Sequence, residues 1–313
     1  MRVLVTGAGG FIGRALVQRL LASGLGGQPV TRLTACDLSL QGLPTDERLR
    51  PVPGSVAEPG VLEQALAEAA EVVFHLASMP GGAAERAPVQ ARRVNLDATA
   101  RLLDLLAAAG DRPRLVFAST VAVYGDPLPC AVDESTPPRP SLSYGAHKLA
   151  AEVLVADATR RGDVAGCSLR LPGIVARPGD GAGLISAFMS RLFWALRDGV
   201  PLVLPVSAQG MAWWMSVGCC VDNLLHAACA DAAALAPSKV VQLPALHLSM
   251  QEVIDALARA HGPDRAALVR FEPDEHVQRL FASYPPLLTP EAERLGFRHD
   301  GNAGELVRRA TAG

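Results

Sequence analysis

The first thirteen residues constrain the fold more than any other stretch of the chain. The segment from Arg2 to Thr6 is rich in Val and Leu and shows no polar alternation, which is typical of a buried strand. From Phe11 onward, apolar residues recur at three- and four-residue steps, which predicts a helix. Gly7, Gly10 and Gly13 lie between the two. Glycines permit a tight turn and let a phosphate approach the positive end of a helix, so the stretch predicts a dinucleotide site or an ordinary strand-to-helix turn.

Length, charge and composition limit the classes of function. The 313 residues can bury a large core, and a net charge of −2 gives no electrostatic reason to expect nucleic acid or an anionic membrane as a partner. No apolar run is long enough to cross a bilayer, and the strand at the N-terminus leaves no room for a signal peptide. The six cysteines contain no CxxC pair and the seven histidines are scattered, so we expect no metal site. These features predict a soluble, cytoplasmic protein.

Strands and helices alternate through the first half of the chain. After the first strand, four more are predicted, at Thr31 to Cys36, Pro51 to Val56, Glu71 to Leu76 and Arg114 to Ser119. Helical patterns separate them, including a long one from about Val89 to Ala109. This rhythm predicts a parallel sheet with helices on both faces, in which ligands bind at the carboxyl ends of the strands. Four residues fall at those ends: Gly7, Asp37, Ala77 and Ser119.

Asp37 bears on the choice of cofactor. A carboxylate at the end of the second strand can accept hydrogen bonds from the adenosine ribose hydroxyls and repels a 2′-phosphate, which favours NAD over NADP. Asp also suits a plain strand-end turn. No arginine follows it directly, and Arg48 and Arg50 come later.

Tyr144 and Lys148 carry the predicted chemistry. They are four residues apart at the start of a helix predicted to run to about Arg161, so they share one helix face. A phenol ionises near pKa ~10, and an ammonium one turn away favours the ionised form. Tyr144 could then take the proton of a substrate alcohol while Thr120, at the end of the fifth strand, holds the substrate oxygen. Such a pair alone is typical of a helix surface, but here it follows the glycine turn, the acidic strand end and the hydroxyl pair in order.

The chain resembles the extended short-chain dehydrogenase/reductase family, also called the NAD-dependent epimerase/dehydratase family. The resemblance lies in Thr6 to Gly13, Asp37, His75 to Ser78, Asn95 to Thr99, Ser119 to Gly125, and the Tyr144/Lys148 pair. It implies an α/β fold, namely a Rossmann-type doubly wound parallel sheet with a small C-terminal substrate-binding cap. It further implies Tyr144 as proton acceptor, Lys148 as its modulator and Thr120 as substrate anchor. The implied NAD contacts are Gly7, Gly10, Phe11, Ile12, Gly13, Asp37, Ser55, Val56, Leu76, Ala77, Ser78, Asn95, Ser119, Tyr144, Lys148 and Ile174.

The second half departs from the members of that family that act on sugar nucleotides. Gly173 replaces a usual Asn, and the segment from Gly210 to Val217 has two tryptophans and no arginine to meet a diphosphate. In these departures the chain resembles the branch that oxidises D-erythronate and similar small sugar acids at the C2 hydroxyl to the 2-keto acid. Arg177 is the first candidate for the carboxylate, ahead of Arg191 and Arg197, although each could equally be a solvated surface arginine. The predicted substrate contacts are Ser78, Met79, Thr120, Tyr144, Gly173 and Arg177.

The same resemblance implies two domains and leaves alternative functions open. We expect an NAD-binding domain over 1–171 and about 212–246, and a substrate-binding cap over 172–211 and 247–313. Trp213 and Trp214 either close the pocket or belong to the core. A homodimer is implied through the helices that carry Asn95 and Tyr144. The alternatives to a small-acid dehydrogenase are a sugar-nucleotide epimerase or dehydratase and a non-catalytic NAD-sensing scaffold, although the latter has no use for Thr120, Tyr144 and Lys148 together.

Overall fold

The protein is described here by a computed structural model that covers residues 1–179, 184–230 and 239–311. Its strands, in chain order, are β1 Arg2–Thr6, β2 Arg32–Asp37, β3 Leu49–Pro53, β4 Val72–His75, β5 Arg114–Thr120, β6 Val132–Asp133, β7 Ala165–Leu171, β8 Gly173–Val175, β9 Leu202–Leu204, β10 Met211–Ser216, β11 Val240–Gln242, β12 Leu246–Ser249, β13 Val269–Phe271 and β14 Leu287–Leu288.

The α-helices are α1 Phe11–Ser23, α2 Val61–Ala65, α3 Gly81–Arg86, α4 Pro88–Arg92, α5 Ala98–Ala109, α6 Ser143–Arg161, α7 Ala187–Asp198, α8 Val217–Cys229, α9 Met250–His261, α10 Glu275–Phe281, α11 Pro290–Arg294 and α12 Ala303–Thr311. A π-helical turn, Arg93–Asp97, joins α4 to α5. Within the described ranges, no helix has the length and apolar character that a membrane crossing requires.

Among the described residues, seven strands form the main sheet in the order β11-β7-β5-β4-β1-β2-β3. The pairings of β1 with β2 and β4, of β2 with β3, and of β4 with β5 are all parallel. The predicted α/β class with a Rossmann-type sheet is therefore confirmed. From β1 the chain proceeds outward through β2 and β3 and then returns to the other side of β1 as β4. This reversal creates a crevice at the carboxyl ends of β1 and β4, the place where open α/β sheets bind ligands.

The chain folds into two compact units. The first comprises Met1–Val123, Pro138–Arg170 and Val221–Val241, and the second comprises Tyr124–Pro137, Leu171–Cys220 and Gln242–Gly313. The core of the first unit is built from apolar residues of the sheet, such as Leu4 and Phe117, packed against one face of α5 and α6. Burial of such side chains contributes roughly 1.5–3 kcal/mol each, which holds the strand ends in a fixed arrangement.

The second unit has its own core and smaller sheets. In its three-stranded sheet, β10 pairs with β12 in antiparallel and with β8 in parallel orientation. Its core joins α7, α9 and α12 to β10 and includes Phe188, Phe193 and Trp214. Helix α9 begins with a capping box, in which the Ser249 hydroxyl accepts a hydrogen bond from the backbone N–H of Glu252 and the Glu252 carboxylate accepts one from the backbone N–H of Ser249.

Two predicted helices differ from the structure. The helix predicted from about Val89 to Ala109 is present as α4, the π-helical turn and α5, because one extra residue is accommodated in the turn. The helix predicted from Asp222 to Ala234 begins five residues earlier, at Val217, and Ala234 lies outside the described residues.

Candidate active site

The glycine turn after β1 is too crowded for any side chain at three of its positions, Gly7, Gly9 and Gly13. Gly7 has a φ of +72°, and a Cβ there would lie 2.6 Å from the backbone nitrogen of Ala77. A Cβ at Gly13 would lie 2.0 Å from the carbonyl oxygen of Gly7. Gly10, in contrast, has only the Gly7 oxygen at 3.2 Å from its Cβ position. The turn is therefore packed between the end of β4 and the start of α1, with its backbone exposed to the crevice.

The start of α1 offers a site for an anion. Phe11 and Ile12 open the helix after the N-cap Gly10, and within the described chain no side chain caps this end and no acidic residue lies in its first turn. The positive end of the helix dipole is therefore not neutralised by a carboxylate. A phosphate group suits this position, because it can bond to backbone amides at the helix start.

Asp37 reaches the glycine turn from the end of β2. Its Oδ2 accepts a hydrogen bond from the backbone N–H of Gly9 at 3.0 Å. A Cβ at Gly9 would lie 1.8 Å from the carbonyl oxygen of Ser39, so the turn and the end of β2 are in direct contact. Farther along, Ser55 and Val56 follow β3, and the Ser55 hydroxyl accepts a hydrogen bond from the backbone N–H of Ala57. The structure thus brings the Asp37 carboxylate to the glycine turn.

The segment after β4 is held by Asn95. The side-chain oxygen of Asn95 accepts a hydrogen bond from the Met79 backbone N–H at 2.7 Å, and its nitrogen donates to the Met79 carbonyl at 2.9 Å. Asn95 is buried in the π-helical turn. Leu76, Ala77 and Ser78 lie between this anchor and β4, with the glycine turn against Ala77. The predicted cofactor-lining segment is therefore fixed at both ends.

Lys148 is a buried cation beneath Tyr144. It is 1 % exposed, and its ammonium donates a hydrogen bond to the carbonyl oxygen of Ala118 at 2.8 Å. The same nitrogen lies 4.5 Å from the ring centroid of Phe117 and 5.9 Å from that of Tyr144. Burial lowers the pKa of Lys148 to about 7, while the charge of Glu152 acts in the opposite direction. The predicted pair is therefore a half-buried phenol beside a desolvated ammonium, in a geometry that a plain surface pair would not have.

Thr120 lies at the end of β5, next to the start of α6. Its hydroxyl accepts a hydrogen bond from the backbone N–H of Ala122 at 3.2 Å. A Cβ at Gly145 would lie 2.4 Å from the carbonyl oxygen of Ala122, so the first turn of α6 packs directly on the turn that follows Thr120. The structure thus brings the segments of Thr120 and Tyr144 together.

A buried ion pair supports this arrangement and was not predicted from the sequence. Arg170 donates to both carboxylate oxygens of Glu152, from Nε at 3.0 Å and from a terminal nitrogen at 2.8 Å. The hydroxyl of Ser119 donates to the same carboxylate. Glu152 lies one helical turn beyond Lys148, and this spacing is the sequence feature that places its carboxylate near the site. Together these bonds join α6 to β5 and β7.

The remaining predicted residues lie in the second unit. Gly173 and Ile174 belong to β8, and a Cβ at Gly173 would lie 2.8 Å from the carbonyl oxygen of Trp213. Arg177 is half-buried, and its carbonyl oxygen accepts a hydrogen bond from the indole of Trp194 at 2.7 Å. Trp213 and Trp214 are both buried, with their indole nitrogens bonded to the carbonyls of Pro285 and Leu248 respectively.

The described residues form no disulfide and no cluster of metal ligands. No group of three or more His, Cys, Asp or Glu side chains there could hold a metal ion. The six cysteines, all of them described, are free thiols.

Comparisons with known proteins agree with this geometry. A family model described as the NAD dependent epimerase/dehydratase family matches residues 3–233. The D-erythronate dehydrogenase of Cupriavidus necator is 38% identical over 315 residues, which span 98% of this chain and 97% of that protein. The D-erythronate dehydrogenase of Haemophilus influenzae is 29% identical over 310 residues, spanning 98% of each. The crystal structure of the nucleoside-diphosphate-sugar epimerase from Agrobacterium tumefaciens matches with a TM-score of 0.92 at 33% identity, over 98% of this chain and 92% of that one.

Proposed function

We propose, on the premise that this chain belongs to the NAD dependent epimerase/dehydratase family, that it oxidises the C2 hydroxyl of a small sugar acid to the 2-keto acid. The chain is an NAD-dependent oxidoreductase, as its family and its dehydrogenase relatives indicate. The finer reaction draws on the full-length likeness to two D-erythronate dehydrogenases. The observation that carries it in the structure is the buried Lys148 ammonium beside the half-buried Tyr144.

The residues at the sheet's carboxyl edge fit NAD. Backbone contacts exclude side chains at Gly7 and Gly13, so the turn packs closely on its neighbours. Gly10 is exposed and has no side chain to obstruct a pyrophosphate over the turn. The uncapped start of α1 supplies a positive end for it, and Asp37 supplies an acceptor for the ribose hydroxyls. We assign cofactor binding to this first unit.

Side chains of this protein accept the proton of the substrate hydroxyl and orient the substrate. Bound NAD supplies the acceptor for the hydride that leaves C2. Tyr144, as the ionised phenol, takes the proton of the C2 hydroxyl, so that a carbonyl forms as the C–H and O–H bonds break. The Lys148 ammonium favours the ionised phenol because a nearby opposite charge stabilises the charged form. The Thr120 hydroxyl orients the substrate oxygen toward Tyr144.

The substrate's carboxylate is proposed to bind Arg177, with Gly173 leaving space beside it. Ser78 and Met79 are proposed as further substrate contacts. A sugar nucleotide is a poorer candidate, because its diphosphate requires cations. The segment Gly210 to Val217 offers none, and its two tryptophans belong to the core.

A sugar-nucleotide epimerase is the second candidate. It is favoured by one observation, the likeness at a TM-score of 0.92 to a protein described as a nucleoside-diphosphate-sugar epimerase. A non-catalytic NAD sensor is a weaker candidate, because a sensor needs no buried Lys148 beneath a tyrosine.

We also propose a homodimer formed by the helices that carry Asn95 and Tyr144. Their outer faces present Val89 and Val153, which are 67% and 62% exposed. Leu149 and Ala156 lie on α6 with Val153, and Val89 lies on α4. Light scattering during size-exclusion chromatography should give twice the chain mass for the wild type and the chain mass for Val153→Glu. A monomeric wild type would contradict the proposal.

The reaction is tested by following NADH absorbance with a panel of aldonic acids and sugar nucleotides. Turnover with four-carbon aldonates and none with UDP- or dTDP-sugars is expected. Arg177→Met should raise the KM for the acid about 10- to 100-fold, since hydrogen bonds to charged groups are worth roughly 1.5–3 kcal/mol. The matched control is Arg259→Met, an exposed arginine of α9, which should leave the KM unchanged. Turnover with a sugar nucleotide and none with any aldonate would overturn the substrate assignment.

A further inference from the structure

A buried histidine with no assigned role lies at the end of β4. His75 is 1 % exposed and sits between two threonine hydroxyls. Its Nδ1 is 2.6 Å from Oγ1 of Thr6, at the end of β1, and its Nε2 is 2.9 Å from Oγ1 of Thr99, on α5. Both ring nitrogens are therefore bonded, on opposite sides of the ring.

The neighbours of the two threonines determine which nitrogen carries the proton. Thr99 has a single hydroxyl proton, which it donates to the carbonyl oxygen of Asn95 at 3.0 Å. Thr99 can then only accept from His75, so Nε2 must carry a hydrogen. Nδ1 is consequently bare if the ring is neutral, and it accepts the proton of the Thr6 hydroxyl. The Thr6 oxygen in turn accepts the backbone N–H of Ala77 at 3.3 Å.

The charges nearby keep the ring neutral. Burial, together with the positive charge of Lys148, lowers the pKa of His75 to about 3. The ring stacks on Phe117, with centroids 5.8 Å apart, and the Lys148 ammonium lies over that same Phe117 ring. An imidazolium here would place a second buried cation beside the first.

The resulting chain of hydrogen bonds runs in one direction and reaches the cofactor segment at both ends. At one end, Ala77 donates its backbone N–H to Thr6. At the other end, Thr99 bonds to the carbonyl of Asn95, whose side chain holds both backbone groups of Met79. Ala77 also packs closely on Gly7, where a Cβ would lie 2.6 Å from the Ala77 nitrogen.

We propose that His75 is a positioning residue, fixed as the neutral Nε2–H tautomer, which sets the backbone of residues 77–79 in the shape that receives NAD. This inference rests on the proposed cofactor site. The chain begins at the backbone N–H of Ala77 and ends at the backbone carbonyl of Asn95, and neither amide group readily exchanges a proton, so the chain orients the segment and does not conduct protons.

The tautomer is tested by NMR on the intact wild-type protein labelled with ¹⁵N at histidine. The His75 signals are assigned by their loss in His75→Gln. The expected pattern is a bare Nδ1 and a protonated Nε2 across pH 5–8, the range in which ordinary histidines titrate around pKa ~6.5. A protonated Nδ1, alone or in an imidazolium, would overturn the proposal.

The positioning role is tested at Thr99. Thr99→Val removes the hydroxyl and is expected to weaken NAD binding about tenfold by calorimetry, while kcat at saturating NAD stays close to wild type. Thr99→Ser should restore the wild-type affinity. Thr34→Val, at another buried threonine of the same sheet, is the matched control.

The outcomes separate this inference from the proposed function. A wild type that binds no NAD would refute the proposed cofactor site itself. A wild type that binds NAD, with Thr99→Val binding equally well, would refute only the role of His75. If Thr99→Val does not fold, the tautomer of the wild type decides alone.

Discussion

Replacing Lys148 with methionine is expected to stabilise the fold while it removes catalysis. The ammonium is 1 % exposed and has one hydrogen bond, to Ala118, together with the face of Phe117. Methionine has a similar length and no charge, so it fills the same space without the desolvation cost. The Lys148→Met variant should therefore be more stable than the wild type and inactive.

The size of the effect follows from the pKa of Lys148. Burial lowers it from an ordinary 10.5 to about 7. That interval corresponds to about 4–5 kcal/mol of unfavourable free energy for holding the charged form in the folded state, at a pH below both values. Loss of the bond to Ala118 leaves a buried carbonyl unsatisfied, which costs roughly 1–3 kcal/mol. A net gain of about 1–4 kcal/mol at pH 7 is therefore expected, in the range seen when buried charges are replaced by apolar groups.

The difference in stability between the wild type and Lys148→Met should change with pH in a direction that follows from the two pKa values. Between the two pKa values of Lys148 the unfolded chain binds more protons than the folded chain, so the wild type should gain stability relative to Lys148→Met as the pH rises. The difference should shrink by about 2 kcal/mol in all between pH 7 and pH 9, because the slope rises from about half of 1.4 kcal/mol per pH unit at pH 7 to nearly that full value at higher pH. Urea titration at both pH values measures it, and Lys239→Met, at the chain's other lysine, is the control. A variant that is less stable at both pH values, or a difference that does not change with pH, would refute the reasoning.

Three further variants test the site. Tyr144→Phe should lower kcat by at least about a hundredfold in the NADH assay, because the proton acceptor is lost, while calorimetry gives an NAD affinity near wild type. Asp37→Ser should reduce the ratio of NAD to NADP affinity about tenfold, because the acceptor for the ribose hydroxyls and the repulsion of a 2′-phosphate are both removed; an unchanged ratio would exclude Asp37 from cofactor choice. Gly13→Ala forces a Cβ to 2.0 Å from the Gly7 oxygen and should cost roughly 1–3 kcal/mol or more in urea unfolding, with loss of NAD binding, whereas Gly81→Ala, where the Cβ position is open, should be nearly neutral.

The sequence allowed the first unit to be predicted because its signals are local. The glycine turn, Asp37 and the Tyr144/Lys148 spacing each lie within one element or at its end, and parallel strands bring such ends to one edge. Once the alternation of strands and helices was recognised, Gly7, Asp37 and Ala77 had to meet.

The support behind the site could not be predicted because its contacts are distant in sequence. Glutamate on a helix is usually solvated. The position of Glu152 one helical turn beyond Lys148 does not by itself indicate that its carboxylate is buried against Arg170, eighteen residues later. The burial of Asn95 depends on the π-helical turn, which shifts the register of the helix there and leaves no mark in the apolar periodicity.

The two tryptophans illustrate another limit. Trp213 and Trp214 are adjacent on β10, so their side chains point to opposite faces of the sheet. Both are buried, because both faces of this strand are covered. Sequence alone could not separate a strand covered on both sides from one that borders a pocket.

Because the chain has few lysines, chemical modification of Lys148 can report local unfolding around it. Only two lysines occur among 29 basic residues, and Lys148 is sealed in the interior. An acylating reagent directed at amines can modify Lys148 only in molecules whose helix α6 has transiently separated from β5. The rate of that modification, measured by mass spectrometry, would thus report local unfolding at α6, and NAD bound at the proposed site should slow it.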